Sequence, residues 1–165
     1  MIGQKELYEV LRFLNIDFHY DEHPEAPTIE IAMLYWKREN ALHCKNLFFR
    51  NHKGNKHYLV LLPHDQELDI TKLEKLLHQG KLSFASEARM EKYLGLRPGS
   101  VSPFGLINDS EDHVFVYLDE NLKNAQNIAF HPNDNRATLS LSYASFIRFL
   151  DFVGNTYVYI QISKT

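Results

Sequence analysis

The chain has 165 residues, 44% of them hydrophobic and 24% charged, a composition typical of a globular protein with its own apolar core. The single cysteine, Cys44, excludes an internal disulfide and fits a reducing compartment. The N-terminus lacks the apolar segment of a secretory signal, and no apolar run reaches the ~18 residues of a membrane span. We therefore expect one cytoplasmic domain, residues 1–165, with no membrane partner.

Charge is distributed unevenly along the chain. The net charge is −3, but residues 37–97 hold 12 of the 18 Lys and Arg against 7 of the 21 Asp and Glu, a local balance of +5. Such asymmetry favours one phosphate-facing side on an acidic protein. Ordinary solvation of loops and helix faces explains the same charges equally well, so both interpretations stay open.

The N-terminal segment predicts a helix, a short strand and a second helix. Leu7, Leu11 and Leu14 recur at helical spacing, and residues 16–20 then alternate like a strand. After a proline-rich break, Thr28 is a suitable cap for a helix that runs to about Tyr35.

The remaining patterns predict a mixture of strands and helices. Residues 43–50 and 57–62 form a hairpin around the turn at 53–56, and its second strand is apolar enough to be buried on both faces. Further helices are predicted over 71–79 with Gly80 as terminator, from Ser86 to Gly95 and from Ser142 to Gly154, and further strands over 82–84, 114–118, 128–131, 137–142 and 157–162. Residues 137–142 alternate apolar and hydroxyl side chains, which predicts a half-buried strand. The order favours an α/β (mixed) fold: a curved, barrel-like mixed sheet with helices packed around it.

Lys45 is the first candidate functional residue. In an extended strand it shares a face with Leu47 and Phe49, while Asn46 lies on the other face. A lysine at the rim of an apolar slot is well placed to meet a phosphate or a carbonyl oxygen. The alternative is a structural lysine whose ammonium simply reaches water.

A small-residue loop and a histidine supply two further candidates. The loop runs Gly99-Ser100-Val101-Ser102-Pro103 and continues through Phe104 and Gly105; its backbone amides can approach a ligand closely, although such loops are usually only turns. It is not a phosphate-binding P-loop, because the Gly-Lys-Ser/Thr ending is absent. His131 follows a strand and can bind a substrate amine or water, or can merely cap the next turn.

Two other kinds of site are not supported by the sequence. His19, Asp21 and His23 match no compact zinc pattern, so we expect no metal. Cys44 is a poor nucleophile candidate, since His43 beside it on a strand points to the opposite face. The Gly-x-Ser-x-Gly motif of serine hydrolases is also absent.

Four segments together resemble the YbaK/ProX family, whose members are freestanding relatives of the editing domain of prolyl-tRNA synthetases. These segments are the lysine-bearing strand at 44–50, the apolar strand at 58–62, the stretch at 94–106 with its Gly-x-Val-Ser-Pro-Phe-Gly loop, and Phe-His-Pro-Asn at 130–133. They occur in matching order over nearly the whole chain. Among the branches of the family, the sequence is most similar to the alanine-specific one, often called PrdX or ProX.

The resemblance implies a barrel-like mixed sheet and a small pocket for an aminoacyl group. Lys45 would meet the terminal adenosine or its phosphate, with Asn46 supporting the same end of the substrate. The loop from Gly99 to Pro103 would offer backbone groups to the ester, and His131 would hold the aminoacyl group or the attacking water. Water attack would be helped by a ribose hydroxyl of the substrate, with no metal, cofactor or covalent nucleophile. Candidate pocket walls in the N-terminal segments are Tyr20, Ile31 and Met33.

The function implied is hydrolysis of alanine from mischarged proline tRNA. The partner would be the acceptor end of that tRNA, with prolyl-tRNA synthetase as a second candidate partner. Candidate phosphate contacts in the basic middle of the chain are Lys72, Lys75, Lys81, Arg89, Lys92 and Arg97. Two alternatives remain at this stage: a deacylase for cysteine or serine, and a non-catalytic tRNA-binding module on the same fold.

Overall fold

The computed structural model describes residues 1–37 and 40–164. Its helices are α1 (Lys5–Phe13), α2 (Ile29–Met33), α3 (Ile70–Leu77), α4 (Glu87–Leu94) and α5 (Tyr143–Val153). Its strands are β1 (His19–Glu22), β2 (Ala41–Arg50), β3 (His57–Pro63), β4 (Ser83–Phe84), β5 (Val114–Asp119), β6 (Asn127–Phe130), β7 (Ala137–Ser142) and β8 (Tyr157–Ile160). Two 3₁₀ helices cover Pro103–Asn108 and Glu120–Asn124. None of the described helices is long and apolar enough to cross a membrane.

The strands form one mixed sheet in the order β1-β7-β6-β2-β3-β5-β8, with β4 added beside β2. Neighbours β2 and β6, β3 and β5, and β5 and β8 are parallel, and the other pairs are antiparallel. This confirms the mixed α/β class. Within the described ranges β1 and β8 end the path without pairing with each other, so the strand order is that of an open sheet.

Local capping chemistry places most helix ends where the sequence predicts them. The side chains of Thr28, Ser86 and Ser142 each accept a hydrogen bond from a backbone N–H three residues further on. Gly95 and Gly154 terminate α4 and α5 with positive φ angles of 65° and 85°, a conformation that costs glycine little. The predicted stop at Gly80 is wrong, because α3 ends earlier with His78 in the left-handed conformation.

Strand β7 is buried on both faces, so the prediction of a half-buried strand there is wrong. Leu139 and Leu141 belong to the main apolar core, together with residues of α1 and α5. Thr138 and Ser140 lie on the opposite face and are buried as well. The hydroxyl face of β7 is therefore turned toward protein rather than toward water.

Candidate active site

The long strand β2 has a gap in its pairing, and the candidate site lies beside this gap. Over 41–43 β2 pairs with β6, and over 49–50 it pairs with β4 on the same side. Between these pairings, over 44–47, the described chain offers β2 no strand partner on that side, while β3 covers the other side. The gap begins where β6 ends, because β2 continues beyond its pairing with the carboxyl end of β6, and carboxyl ends of strands in α/β sheets commonly bind ligands.

A cavity of about 260 Å³ fills the space beside this gap. Its volume lies below the ~300 Å³ at which pockets for drug-sized ligands begin, so it fits a small group. Of the residues singled out in the sequence, Lys45, Asn46, Gly99, Val101 and His131 line it. Its other lining residues include Ala26, Pro27, Ile29, Ala32, Trp36, His43 and Thr138.

The small-residue loop approaches the N-terminal segment closely at Gly99. This glycine has a φ of +82°, and a β-carbon built on it would lie only 3.2 Å from atoms of Pro27. A side chain there would be strained by both its conformation and its neighbour. Val101 completes the part of the loop that lines the cavity.

The second half of the loop serves the fold. Ser102 is buried and caps the 3₁₀ helix that begins at Pro103, with its Oγ accepting a hydrogen bond from Phe104 N at 3.2 Å. Neither Ser102 nor Pro103 lines the cavity, and Ser100 does not line it either.

The candidate wall residues lie outside the cavity lining. The Tyr20 hydroxyl accepts a hydrogen bond from Ile2 N at 2.8 Å and donates one to Glu22 at 3.0 Å. Ile31 and Met33 are 36% and 50% exposed, on the outer side of α2.

The inner side of α2 contributes the cavity wall instead. Ile29 and Ala32, three residues apart on one face of α2, line the cavity, and Trp36, which follows the end of the helix, lines it as well. That spacing was visible in the sequence, but nothing in it marked which face of so short a helix points inward.

The Lys45 ammonium is anchored at the cavity by one backbone group. Its Nζ donates a hydrogen bond to Gln66 O at 2.5 Å, from the segment that follows β3. An ammonium carries three N–H groups, so two remain for a ligand. The side chain is half-buried and lines the cavity.

His131 presents a hydrogen-bond acceptor to the cavity. Its Nδ1 lies 2.9 Å from Ala137 O; a carbonyl only accepts, so Nδ1 carries the hydrogen. Burial lowers the pKa of His131, and the electrostatic effect of nearby His23 lowers it further. The hydrogen bond to Ala137 O acts in the opposite direction and raises it. The ring is therefore neutral near pH 7, and Nε2 keeps a free electron pair.

Sequence reasoning missed His43 and Trp36 as parts of the site. The two rings stack with centroids 3.7 Å apart, and the buried His43 Nε2 has no hydrogen-bond partner among the described residues. Burial first, then the nearby His64 and His131, lower the pKa of His43 to about 4. Asn46 Oδ1 is likewise buried without a partner in the described chain. Buried polar atoms normally have partners, so two orphans on one cavity point to a ligand.

Cys44 and His23, which follows β1, are surrounded by protein groups. Burial raises the pKa of the Cys44 thiol, which keeps it protonated and unreactive. The His23 ring is held by Pro24 O and the Thr138 hydroxyl. Residues 1–37 and 40–164 contain no group of three His, Cys, Asp or Glu side chains close enough together to hold a metal ion.

Fold and site together define a mixed-sheet protein with a small polar cavity, suited to positioning a ligand. Residues 23–149 match the aminoacyl-tRNA editing domain family. Prolyl-tRNA editing protein ProX of Acetoanaerobium sticklandii is 43% identical over 150 residues, which cover 90% of this chain and 91% of that protein. Prolyl-tRNA synthetase associated domain-containing protein 1 of Danio rerio is 34% identical over 160 residues, covering 96% of this chain and 86% of that protein.

The fold has a counterpart among solved structures. A protein solved as a candidate trans-editing enzyme for prolyl tRNA synthetase superposes with a TM-score of 0.70, over 99% of this chain and 100% of its own, at 21% identity. The chain belongs to the aminoacyl-tRNA editing domain family, and it is an aminoacyl-tRNA deacylase, an ester hydrolase. The family resemblance and the enzyme class expected from the sequence are thereby confirmed.

Proposed function

We propose that this chain removes alanine from mischarged proline tRNA in the cytoplasm and so protects translation fidelity. The observation that carries the proposal is the convergence of Lys45, Asn46 and His131 on one small cavity. The name of the 43% identical relative supports prolyl-tRNA as the substrate class. The name of the Danio rerio relative supports prolyl-tRNA synthetase as a binding partner.

The reaction is hydrolysis of the ester between the amino acid and the terminal ribose. A water oxygen attacks the ester carbonyl carbon, and the bond from that carbon to the ribose oxygen breaks. One water proton passes to the ribose oxygen, and the other leaves with the new carboxyl group. An aminoacyl ester is already activated, so positioning and polarisation of the carbonyl provide most of the required acceleration.

Each cavity residue has a role that its surroundings support. Lys45 brings a cation with two free N–H groups to the carbonyl oxygen or the terminal phosphate. The neutral His131 accepts a hydrogen bond at Nε2 from the attacking water or the amino group. Gly99 and Val101 of the small-residue loop line the cavity and would lie against the ester, and Asn46 would support the same end of the substrate.

Selectivity for alanine rests on the walls of the cavity. The cavity lining includes Ala26, Pro27, Ile29 and Ala32, and Pro27 lies against Gly99 of the small-residue loop. Close-packed walls resist overfilling, so a pyrrolidine ring is excluded more strongly than a smaller side chain is preferred.

A basic surface at the other end of β2 supports binding of the acceptor stem. The guanidinium groups of Arg50 and Arg89 converge on Gly54, where a built β-carbon would lie 3.0 Å and 2.9 Å from their nearest nitrogens. Arg50 has no carboxylate partner in the described chain. Arg50 shares a face of β2 with Asn46 of the cavity, four residues of extended strand away, roughly 13 Å, a distance that a tRNA end can bridge. Phosphate contacts there would add affinity without reading sequence.

The decisive experiment is a deacylation panel with proline tRNA charged with alanine, cysteine, serine and proline. We expect alanine to be released much faster than proline. Equal rates for alanine and proline would refute exclusion by the walls. Faster release of cysteine or serine would keep the enzyme class and change the substrate. Binding without release of any amino acid would leave a tRNA-binding module.

A further inference from the structure

Thr138 is a polar residue of the cavity wall that the roles proposed above leave unused. It lies on β7, it is buried, and it lines the cavity. Its Oγ1 is 2.9 Å from His23 Nε2, a contact between residues 115 positions apart in the chain. The contact therefore depends on the fold and is not a local turn.

The hydrogen-bond partners of His23 fix the direction of this contact. His23 Nδ1 lies 2.8 Å from Pro24 O, which can only accept, so Nδ1 donates this hydrogen bond. In the tautomer whose single ring hydrogen is on Nδ1, Nε2 accepts and the Thr138 hydroxyl donates to it. The hydroxyl hydrogen is thus turned away from the cavity, and the lone pairs of Oγ1 remain available to a ligand.

The His131 ring near His23 also donates from Nδ1 to a backbone carbonyl oxygen. Its Nδ1 donates to Ala137 O, and the His23 and His131 rings have centroids 6.0 Å apart. Asn46 Oδ1 adds a third acceptor that lacks a partner among the described residues. Among the described residues, the cavity lining therefore offers these hydrogen-bond acceptors and includes no carboxylate.

We propose that Thr138 Oγ1 accepts a hydrogen bond from the α-amino group of the bound aminoacyl ester, and that His23 is the positioning residue that orients it. The α-amino group is the one part of an aminoacyl ester that carries several N–H donors, whether or not it holds an extra proton. The ester carbonyl needs donors instead, which Lys45 and backbone amides supply. This inference rests on the proposed deacylase function and specifies how the amino acid is held.

The test compares two substrates that differ only in the amino group: alanyl-tRNA(Pro) and propionyl-tRNA(Pro), in which hydrogen replaces the amine. The Thr138→Val variant keeps the shape of the side chain and removes the acceptor. We expect it to lower kcat/KM for the alanyl ester about tenfold, the effect of one hydrogen bond to a charged or polar donor, while the propionyl rate stays unchanged. The conservative Thr138→Ser variant should restore most of the alanyl rate.

His23→Phe tests the positioning role. It should lower the ratio of alanyl to propionyl rates in the same direction, and adding it to Thr138→Val should produce no further loss. Ser140→Ala, on the same face of β7 but outside the cavity lining, is the matched control and should leave the ratio unchanged.

Each other outcome overturns the inference. An equal drop for both substrates in Thr138→Val would mean a structural role, and an unchanged ratio would mean that Thr138 does not meet the amine. If the wild-type protein cleaves the propionyl ester as readily as the alanyl ester, the amine is not recognised, although the deacylase function stands. Cleavage of neither ester would remove the proposed function itself.

Discussion

Two histidine-containing clusters in this protein differ in their hydrogen bonds. The cavity cluster, His43, His131 and Asn46, includes two buried polar atoms without partners in the described chain, His43 Nε2 and Asn46 Oδ1. The hairpin cluster, His57, Arg89 and His113, is internally bonded. Burial is the largest cause of the lowered pKa of both His43 and His57, which falls to about 4 for each. Burial and a shifted pKa alone therefore do not distinguish a binding site from a structural element.

Donor and acceptor roles in the hairpin cluster follow from the arginine. Arg89 only donates, so His57 Nε2 accepts from Arg89 Nη1 at 2.9 Å. His57 Nδ1 must then donate to His113 Nε2 at 2.8 Å. The same Nη1 also donates to Gly54 O at 2.7 Å, which ties α4 to the turn between β2 and β3. Both nitrogens of His57 are satisfied by protein groups, and no ligand is needed.

The difference indicates that orphaned atoms in the cavity lining mark the functional cluster, whereas the orphaned atoms of Asn133, Ser140 and Asn155 lie outside that lining. Substitutions in the cavity cluster should therefore impair activity more than stability, and substitutions in the hairpin cluster should do the reverse. Four experiments can break or sharpen this comparison.

The largest effect is expected for Lys45→Met at the cavity. Loss of a charged contact to the substrate should cost about 2–3 kcal/mol of transition-state binding, a fall of roughly 30- to 150-fold in kcat/KM. Single-turnover deacylation of alanyl-tRNA(Pro) measures it, and denaturant unfolding checks the fold. Lys5→Met, on the exposed side of α1, is the control. A folded Lys45→Met protein with near wild-type turnover would remove Lys45 from the site.

For His57→Phe we expect a large loss of stability with little change in activity. The side chain is fully buried, and its loss removes two hydrogen bonds, so the free energy of unfolding should fall by about 2 kcal/mol. Deacylation per folded molecule should stay within about twofold of wild type. The exposed His52→Phe serves as control for adding an aromatic ring. Selective loss of activity in His57→Phe would contradict the structural role.

The pH dependence of stability should report the burial of His57 in the hairpin cluster. An unfolded chain protonates His57 near pH 6.5, whereas the folded protein does so only near pH 4. The unfolded state thus binds more protons between these values, and the free energy of unfolding falls as pH drops from 6.5 to 4. Denaturant titrations at several pH values should show a shallower fall in His57→Phe. The remaining slope in that variant belongs to other histidines, His43 among them.

The smallest effect is expected for Arg50→Gln beside the hairpin cluster. Loss of one phosphate contact should weaken tRNA binding roughly fivefold at low salt and reduce the slope of log affinity against log salt by about 1. The rate at saturating tRNA should not change. Filter binding over a salt series measures both quantities, with Arg12→Gln on α1 as control. An unchanged salt slope would place the acceptor stem elsewhere.

Local sequence chemistry predicted much of the fold. Cap residues such as Ser86 and Ser142 and the stop at Gly95 act through bonds to their own helices, so a single stretch of sequence contains the information. Lys45 and His131 were identifiable because a charged or titratable residue at the end of an apolar strand is unusual, and the family resemblance reinforced both.

Contacts between distant segments were not predictable in this way. Alternation along 137–142 indicates which residues share a face, but only the fold decides that the face with Thr138 is buried. The pairing of His57 with His113 joins residues 56 positions apart, and the stacking of Trp36 on His43 depends on how the segment after α2 returns to β2. Tertiary packing, rather than propensity, determines each of these contacts.

The central claim is that the cavity cluster, and not the hairpin cluster, receives the aminoacyl end of tRNA. The most direct test follows the imidazole nitrogen signals of the histidines by NMR, while 3′-alanylamino-3′-deoxyadenosine, an amide that cannot be hydrolysed, is added. We predict that the signals of His43 and His131 shift on binding, while those of His57 and His113 do not. Binding that shifts His57 and His113 but leaves His43 and His131 unchanged would contradict the claim.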